Sequence, residues 1–145
     1  KDIGCDYPVI RSKENFVNVV KEVTNGVGCD VVYEAIGKDT LQKSLDSLKP
    51  MGMCAAYGHV SGPPDPIDVI QDLGRRGSLF ITRPAIMHYV AKRNDLEWTA
   101  NDLFNAISKG VIKSNVNYEF SLKDAVKAHE AIESGKTEGS IILIP

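Results

Sequence analysis

Nowhere does the chain run apolar for the roughly 18 residues that span a bilayer, and its first ten residues lack the apolar core of a signal peptide. The expectation from these two absences is a cytoplasmic protein with no membrane partner. Excess basic charge is missing as well: 17 Lys and Arg stand against 19 Asp and Glu, a net charge of -2. Binding to nucleic acid needs a basic patch, so that partner is not expected either. Cys5, Cys29 and Cys54 form no CxxC pair of the kind zinc or a redox dithiol requires, and they read as buried, reduced thiols. His59, His88 and His129 stand on different elements, which argues against a three-histidine metal site. The most informative absence is the GxGxxG turn that holds a pyrophosphate. Gly26-Val27-Gly28 does not replace it, because it precedes a strand, whereas the fingerprint must follow one and open a helix.

What is present is an alternation of helical and extended segments over 145 residues, 43% of them hydrophobic, enough for one globular domain or a little more. An extended piece, Tyr7 to Ile10, precedes an amphipathic stripe of Phe16, Val19, Val20 and Val23, which Ser12 can cap. Asp30 to Gly37 is an apolar run with little alternation, the pattern of a strand covered on both faces. Leu41, Leu45 and Leu48 mark the next helix, with Asp39 or Thr40 at its start, and a strand follows at Met53 to Tyr57. Met51 and Met53 read as gap fillers there. A proline-rich loop, Gly58 to Pro66, leads through a short helix around Ile67 to Leu73 to a third strand, Ser78 to Thr82, ended by Pro84. In the following helix Asn94 and Glu97 resemble a capping box, Leu96, Ala100, Leu103, Phe104 and Ile107 form its buried stripe, and Gly110 closes it. A polar extended stretch, Lys113 to Phe120, a helix capped by Ser121 and a strand, Ser140 to Ile144, complete the chain.

Strands joined by helical crossovers lie parallel, so the expected fold is α/β, a doubly wound parallel sheet that is incomplete at its amino-terminal side. Ligands of such sheets bind beyond the carboxyl ends of the strands. That rule selects Gly37-Lys38-Asp39, Gly58-His59-Val60-Ser61-Gly62 and Thr82-Arg83-Pro84 as one nucleotide crevice. Glycine after a strand is often only a turn, and that plain reading stands beside the functional one. Tyr33 and Glu34 either reach the crevice or sit within the strand. His129, on a helix face with Ala125 and Ile132, reads as a core residue.

The segments DVVYEAIGKDTLQKSLDSLKPMG, YGHVSGP, GSLFITRP and EGSIILIP, in this order and spacing, resemble the zinc-free quinone oxidoreductases of the medium-chain dehydrogenase/reductase superfamily. The resemblance runs over essentially the whole chain. It implies the carboxyl-terminal part of a longer enzyme, with residues 1–112 a partial NADP-binding Rossmann domain and residues 113–145 returning to the substrate domain. It further implies that NADPH passes a hydride to a quinone or another conjugated carbonyl. By the same resemblance Tyr57, Gly58, His59 and Val60 lie against the nicotinamide half of the cofactor, Phe80, Ile81, Thr82 and Arg83 form the adjoining strand end, and Gly37 approaches the dinucleotide. The family commonly has asparagine where this chain has His59. Arg11 falls near a position beside the adenosine 2′-phosphate, and Lys136 stands near a common arginine as a phosphate point charge. No catalytic acid is assigned.

The strand at residues 78–82 ends its sheet with an apolar edge, and relatives pair it across a two-fold axis, so a homodimer is expected. Two other readings stand beside the enzymatic one: a non-catalytic truncated or split-gene product serving dimerisation or partner binding, and an alcohol dehydrogenase or enoyl reductase of the same superfamily. This portion alone is expected to be inactive.

Overall fold

The structure, a computed structural model, describes residues 4–113 and 115–145. Contacts divide the chain into two compact units, one ending at His88 and the other running Tyr89–Pro145. Ser114, within the stretch expected to be extended, lies outside the described residues, as do the first three residues of the chain.

The first unit is built on three parallel strands, β1 (Cys29–Glu34), β2 (Leu48–Ala56) and β3 (Phe80–Thr82), in that spatial order. Helix α1 (Phe16–Val23) precedes β1, and helix α2 (Leu41–Asp46) crosses from β1 to β2. The doubly wound α/β expectation holds in this parallel, helix-connected order. Asn15, not Ser12, caps α1: its side chain accepts the Val17 N–H at 3.1 Å, because the chain still turns through Lys13 and Glu14 before the helix begins. Gly26 and Gly28 form the turn into β1, as their place ahead of a strand requires.

Strand β2 starts five residues before the expected Met53. Cys29 pairs with Leu48 and Val31 with Met53, so β2 carries an irregular bulge at Pro50–Gly52, where Met51 has φ 61°. A bulge is where a strand tolerates proline. Leu48 therefore belongs to β2 rather than α2, yet it remains in the same core with Leu41, Leu45, Cys54 and Leu79. Each fully buried leucine contributes about 1.5–3 kcal/mol. The segment between β2 and β3 forms a wide turn, Val69–Gly74, whose Arg75 N–H reaches back five residues to the Ile70 carbonyl. Asp68 caps it, accepting from Ile70 and Gln71 N–H, and Arg76 ties it to α2 through Asp46, Gln42 and Asp72. Strand β3 is two residues shorter than expected at its start, since Ser78 has φ 59° and Leu79 still donates to Leu73.

Side chains alternate across this sheet. Val32, Cys54 and Ile81, in register, face α2 and the core. Their neighbours Val31, Met53 and Phe80 are exposed on the opposite face, and Tyr33 is 76% exposed there. The expected covering of both faces is therefore absent among the described residues of this unit, and Met51 and Met53 are exposed rather than gap fillers. An apolar run records the wish of a strand for two covers; only packing shows whether both are supplied.

A short helix, α3 (Ile86–Tyr89), lies at the junction of the units. The second unit contains α4 (Arg93–Ser108) and a parallel pair, β4 (Val116–Ser121) and β5 (Ser140–Ile144), joined through α5 (Ala125–Glu133). Gly110, at φ 70°, closes α4 as expected. The capping box does not form: the helix begins at Arg93, placing Asn94 inside it, and Glu97 pairs with Arg93 instead. Leu96, Leu103, Phe104 and Ile107 are exposed, so the α4 stripe is amphipathic without being buried. His129 is exposed too, because α5 turns its small residues, with Ala128 buried, toward the interior. Ser121 accepts from Lys123 N–H and opens a tight turn, Leu122–Asp124, one turn ahead of α5.

These differences in burial predict different penalties. Leu45→Ala, at 0% exposure, is expected to lower the unfolding free energy of the first unit by about 2–5 kcal/mol in urea titrations. Leu103→Ala, 47% exposed, is expected to cost less than about 1 kcal/mol. Equal losses at both positions would show that burial does not govern stability here.

Candidate functional site

Because the three strands run parallel, their carboxyl ends open on one side, and the loops leaving them meet there. The turn after β1 and the loop after β2 are joined by main-chain hydrogen bonds: Lys38 N–H to the Gly62 carbonyl (3.1 Å), Ser61 N–H to Ile36 (2.8 Å) and Val60 N–H to Ala35 (3.3 Å). Tyr57 and Gly58 N–H both donate to the Glu34 carbonyl. The Ser61 hydroxyl adds a bridge, donating to the Ile36 carbonyl at 2.8 Å and accepting from Asp39 N–H at 3.0 Å.

This contact is too close for side chains at two positions. A β-carbon on Gly58 would lie 2.3 Å from the Ala35 carbonyl oxygen. One on Gly37, at φ 91°, would lie 2.6 Å from the Gly62 oxygen and 2.8 Å from His59 Cα. The third strand end joins through Arg83, which donates to the Ala56 carbonyl at 2.9 Å and to His59 Nδ1 at 3.3 Å. A neutral His59 ring that accepts at Nδ1 carries its proton on Nε2. A cleft of about 230 Å³ opens here, lined by Ala56, Gly58, His59, Pro63, Pro64 and Arg83. Among the described residues no carboxylate pairs with Arg83, so the cleft presents an uncompensated guanidinium suited to an anionic or carbonyl oxygen.

Glu34, at the last position of β1, is buried. Its Oε1 accepts from Ile36 N–H (2.6 Å), Gly37 N–H (3.1 Å) and the Thr40 hydroxyl (2.9 Å), and its Oε2 accepts from the Ser44 hydroxyl. Burial pushes the carboxyl pKa up, but these four hydrogen bonds together outweigh it and hold the group below its ordinary value. In β2, where it pairs with Val32, Cys54 is pushed up to about 11 by burial and the Glu34 charge, which leaves its thiol protonated. Of the three cysteines only Cys54 is buried, and Cys5 is exposed, against the expectation of three buried thiols.

The structure thus brings together Gly37, Gly58, His59 and Arg83, with Tyr57 and Val60 exposed on the same loop. Phe80 and Thr82 are exposed on β3, while Ile81 faces the core. Arg11 sits on an exposed turn before α1, with no hydrogen bond to this cluster among the described residues, and Lys136 lies in the second unit, its N–H on the Ser134 hydroxyl. Sequence reasoning placed Ser61 in the crevice and left Glu34 either at the crevice or within the strand, but gave neither its bridging or anion-holding role. Glutamate closing an apolar strand, followed by Thr40 and Ser44, is the signal, since a buried carboxylate demands nearby donors.

The family model described as zinc-binding dehydrogenase matches residues 3–143. The chain belongs to that family. It is 52% identical to the 2-haloacrylate reductase of a Burkholderia species over 145 residues, all of this chain and 44% of that one. A crystal structure of 2-haloacrylate reductase superposes with a TM-score of 0.90 at 53% identity, covering 98% of this chain and 44% of that one. The Escherichia coli quinone oxidoreductase crystallised with NADPH superposes with a TM-score of 0.87 at 39% identity, covering 94% and 42%. The chain therefore spans less than half the length of these relatives, and the resemblance read from its motifs is confirmed. Among the described residues no three His, Cys, Asp or Glu side chains gather where they could hold a metal ion.

The close loop contact predicts that Gly58→Ala destabilises the first unit by about 1–3 kcal/mol, since backbone must shift to admit the methyl group. Gly74→Ala, whose β-carbon would meet only the Val69 oxygen at 3.5 Å, is expected to change stability by less than about 1 kcal/mol. Thermal unfolding of both variants checks this, and a tolerated Gly58→Ala would show that the loops are not locked together.

Proposed function

We propose that this chain is the cofactor-binding part of an NADPH-dependent oxidoreductase that passes a hydride to a quinone or another conjugated carbonyl. The observation that carries the reading is the convergence of Gly37, Gly58, His59 and Arg83 at the carboxyl ends of three parallel strands. Bound NADPH supplies the hydride. Tyr57, Gly58, His59 and Val60 orient the nicotinamide half, Phe80 to Arg83 bound it on the β3 side, and Gly37 shapes the floor between them. Arg83 offers N–H donors to a carboxamide or acceptor oxygen, and the Pro63–Pro64 wall helps exclude water. Arg11 serves the adenosine phosphate. Residues 113–145 return to the substrate domain, and β3, which pairs only with β2 among the described residues, joins its twin in a homodimer.

The unpaired guanidinium of Arg83 favours a second acceptor class, a small α,β-unsaturated carboxylate, and the 2-haloacrylate reductase among the relatives supports it.

The amides that bind pyrophosphate are not supplied at the Gly37 turn, because Ile36 and Gly37 N–H are taken by Glu34. The chain by itself is therefore expected to bind NADPH weakly or undetectably when titrated by nicotinamide fluorescence, for want of several charge-assisted hydrogen bonds of about 1.5–3 kcal/mol each. Micromolar affinity would contradict this. The activity is tested in a chimera, the Burkholderia reductase with its matching 44% replaced by this chain. Oxidation of NADPH is expected with a benzoquinone or with 2-chloroacrylate, and the preferred acceptor decides between the two classes. A folded chimera that oxidises NADPH with neither overturns the enzymatic reading in favour of a non-catalytic role.

A further inference from the structure

The Glu34 carboxylate is a buried charge that the proposed hydride transfer does not use, and its surroundings are unusual in their completeness. Four donors converge on it, two of them main-chain N–H groups of the Gly37 turn and two of them hydroxyls, from Thr40 ahead of α2 and Ser44 within it. It acts as an internal anion at the place where a strand-to-helix turn would otherwise offer its amides to a ligand. The shape so imposed is the one that the next loop requires. Gly37 stays at φ 91°, its Cα meets His59 and Gly62 without room for a methyl group, and Ile36 and Lys38 on either side hydrogen-bond to Ser61 and Gly62. Beyond that loop, His59 accepts from Arg83.

We propose that Glu34 is a positioning residue for the whole rim, holding the Gly37 turn in the conformation on which the His59–Gly62 loop closes, and through that loop setting His59 and Arg83. The consequence for cofactor rests on the functional reading above; the coupling between the loops does not. The groups facing the carboxylate are the Thr40 and Ser44 hydroxyls from the start of α2 and, from β2, Cys54, which stays neutral. The Glu34 charge thus has no cationic partner among the described residues, and donors alone sustain it. Its pKa is lowered in the fold, so the arrangement is complete at neutral pH and is lost as pH falls below 4.5, the ordinary glutamate value, and through the lower folded value.

Amide NMR of the full chain, titrated from about pH 7 to about pH 3, tests the coupling. The Ile36 and Gly37 amides and those of His59 to Gly62 are expected to shift together with one midpoint below 4.5. Glu34→Gln, which keeps the acceptor oxygen but not the charge, is expected to remove that common midpoint while the circular dichroism spectrum is retained. Ser61→Ala is expected to leave the shifts at Ile36 and Gly37 and diminish those at His59 to Gly62. Movement of Ile36 and Gly37 alone in the unaltered chain would overturn the proposal, as would a common midpoint that survives Glu34→Gln. In the chimera, Glu34→Gln is expected to raise KM for NADPH by roughly ten- to a hundredfold with a smaller change in kcat. If the unaltered chimera does not use NADPH, the functional reading fails and the NMR result still decides this one.

Discussion

Two stretches of backbone touch at the end of the sheet with nothing between them, and the site depends on that contact. The turn after β1 and the loop after β2 approach until a single β-carbon at Gly37 or Gly58 would collide with carbonyl oxygen or Cα. Main-chain hydrogen bonds of 2.8–3.3 Å hold them there. Since every polar group drawn into such a contact needs a partner, Glu34 takes up the two amides of the turn that remain, and Ser61 completes the bridge. Arg83 then closes the third side on His59. A cleft made this way is shaped mostly by backbone, which tolerates little variation, while the few side chains that reach it are free to choose the ligand.

The sheet behind that rim is covered on one face. Cys54 is buried in the core and Val32 and Ile81 pack against it, partly buried, but Val31, Tyr33, Met53 and Phe80 are exposed. Among the described residues β1 and β3 each pair on one side only. Leu96, Leu103, Phe104 and Ile107 on α4 show the same imbalance in the second unit. These are surfaces with the composition of a core.

Elements with strong periodicity or firm stops were legible. The existence of α1, the position of α2, the end of α4 at Gly110 and the residues of β5 follow from local pattern and from glycine at positive φ, although α1 buries Val17, outside the stripe read from the sequence, and leaves Val23 exposed. The rim was legible as well, because parallel topology alone directs loops to the carboxyl ends of strands. What failed had a common cause. Leu48 looked helical by spacing but joins β2 through a bulge; Ser12 and Asn94 looked like caps but lie one turn early or inside the helix; His129 looked inward but faces out. In each case a residue's local preference was compatible with two placements, and packing against a distant segment selected one.

The sequence by itself determined the α/β class, the parallel order and the family, since alternating helix and strand patterns and four ordered motifs need no knowledge of distance. Only tertiary structure decided that Glu34 is an internal anion, that Gly37 is glycine for the sake of a neighbouring loop, and that one face of the sheet stands bare. Those facts concern residues up to 49 positions apart, Glu34 to Arg83, which meet through an intervening loop. Local propensity acts over a few bonds; hydrogen bonding and exclusion of volume act through space, and the site is made of the latter.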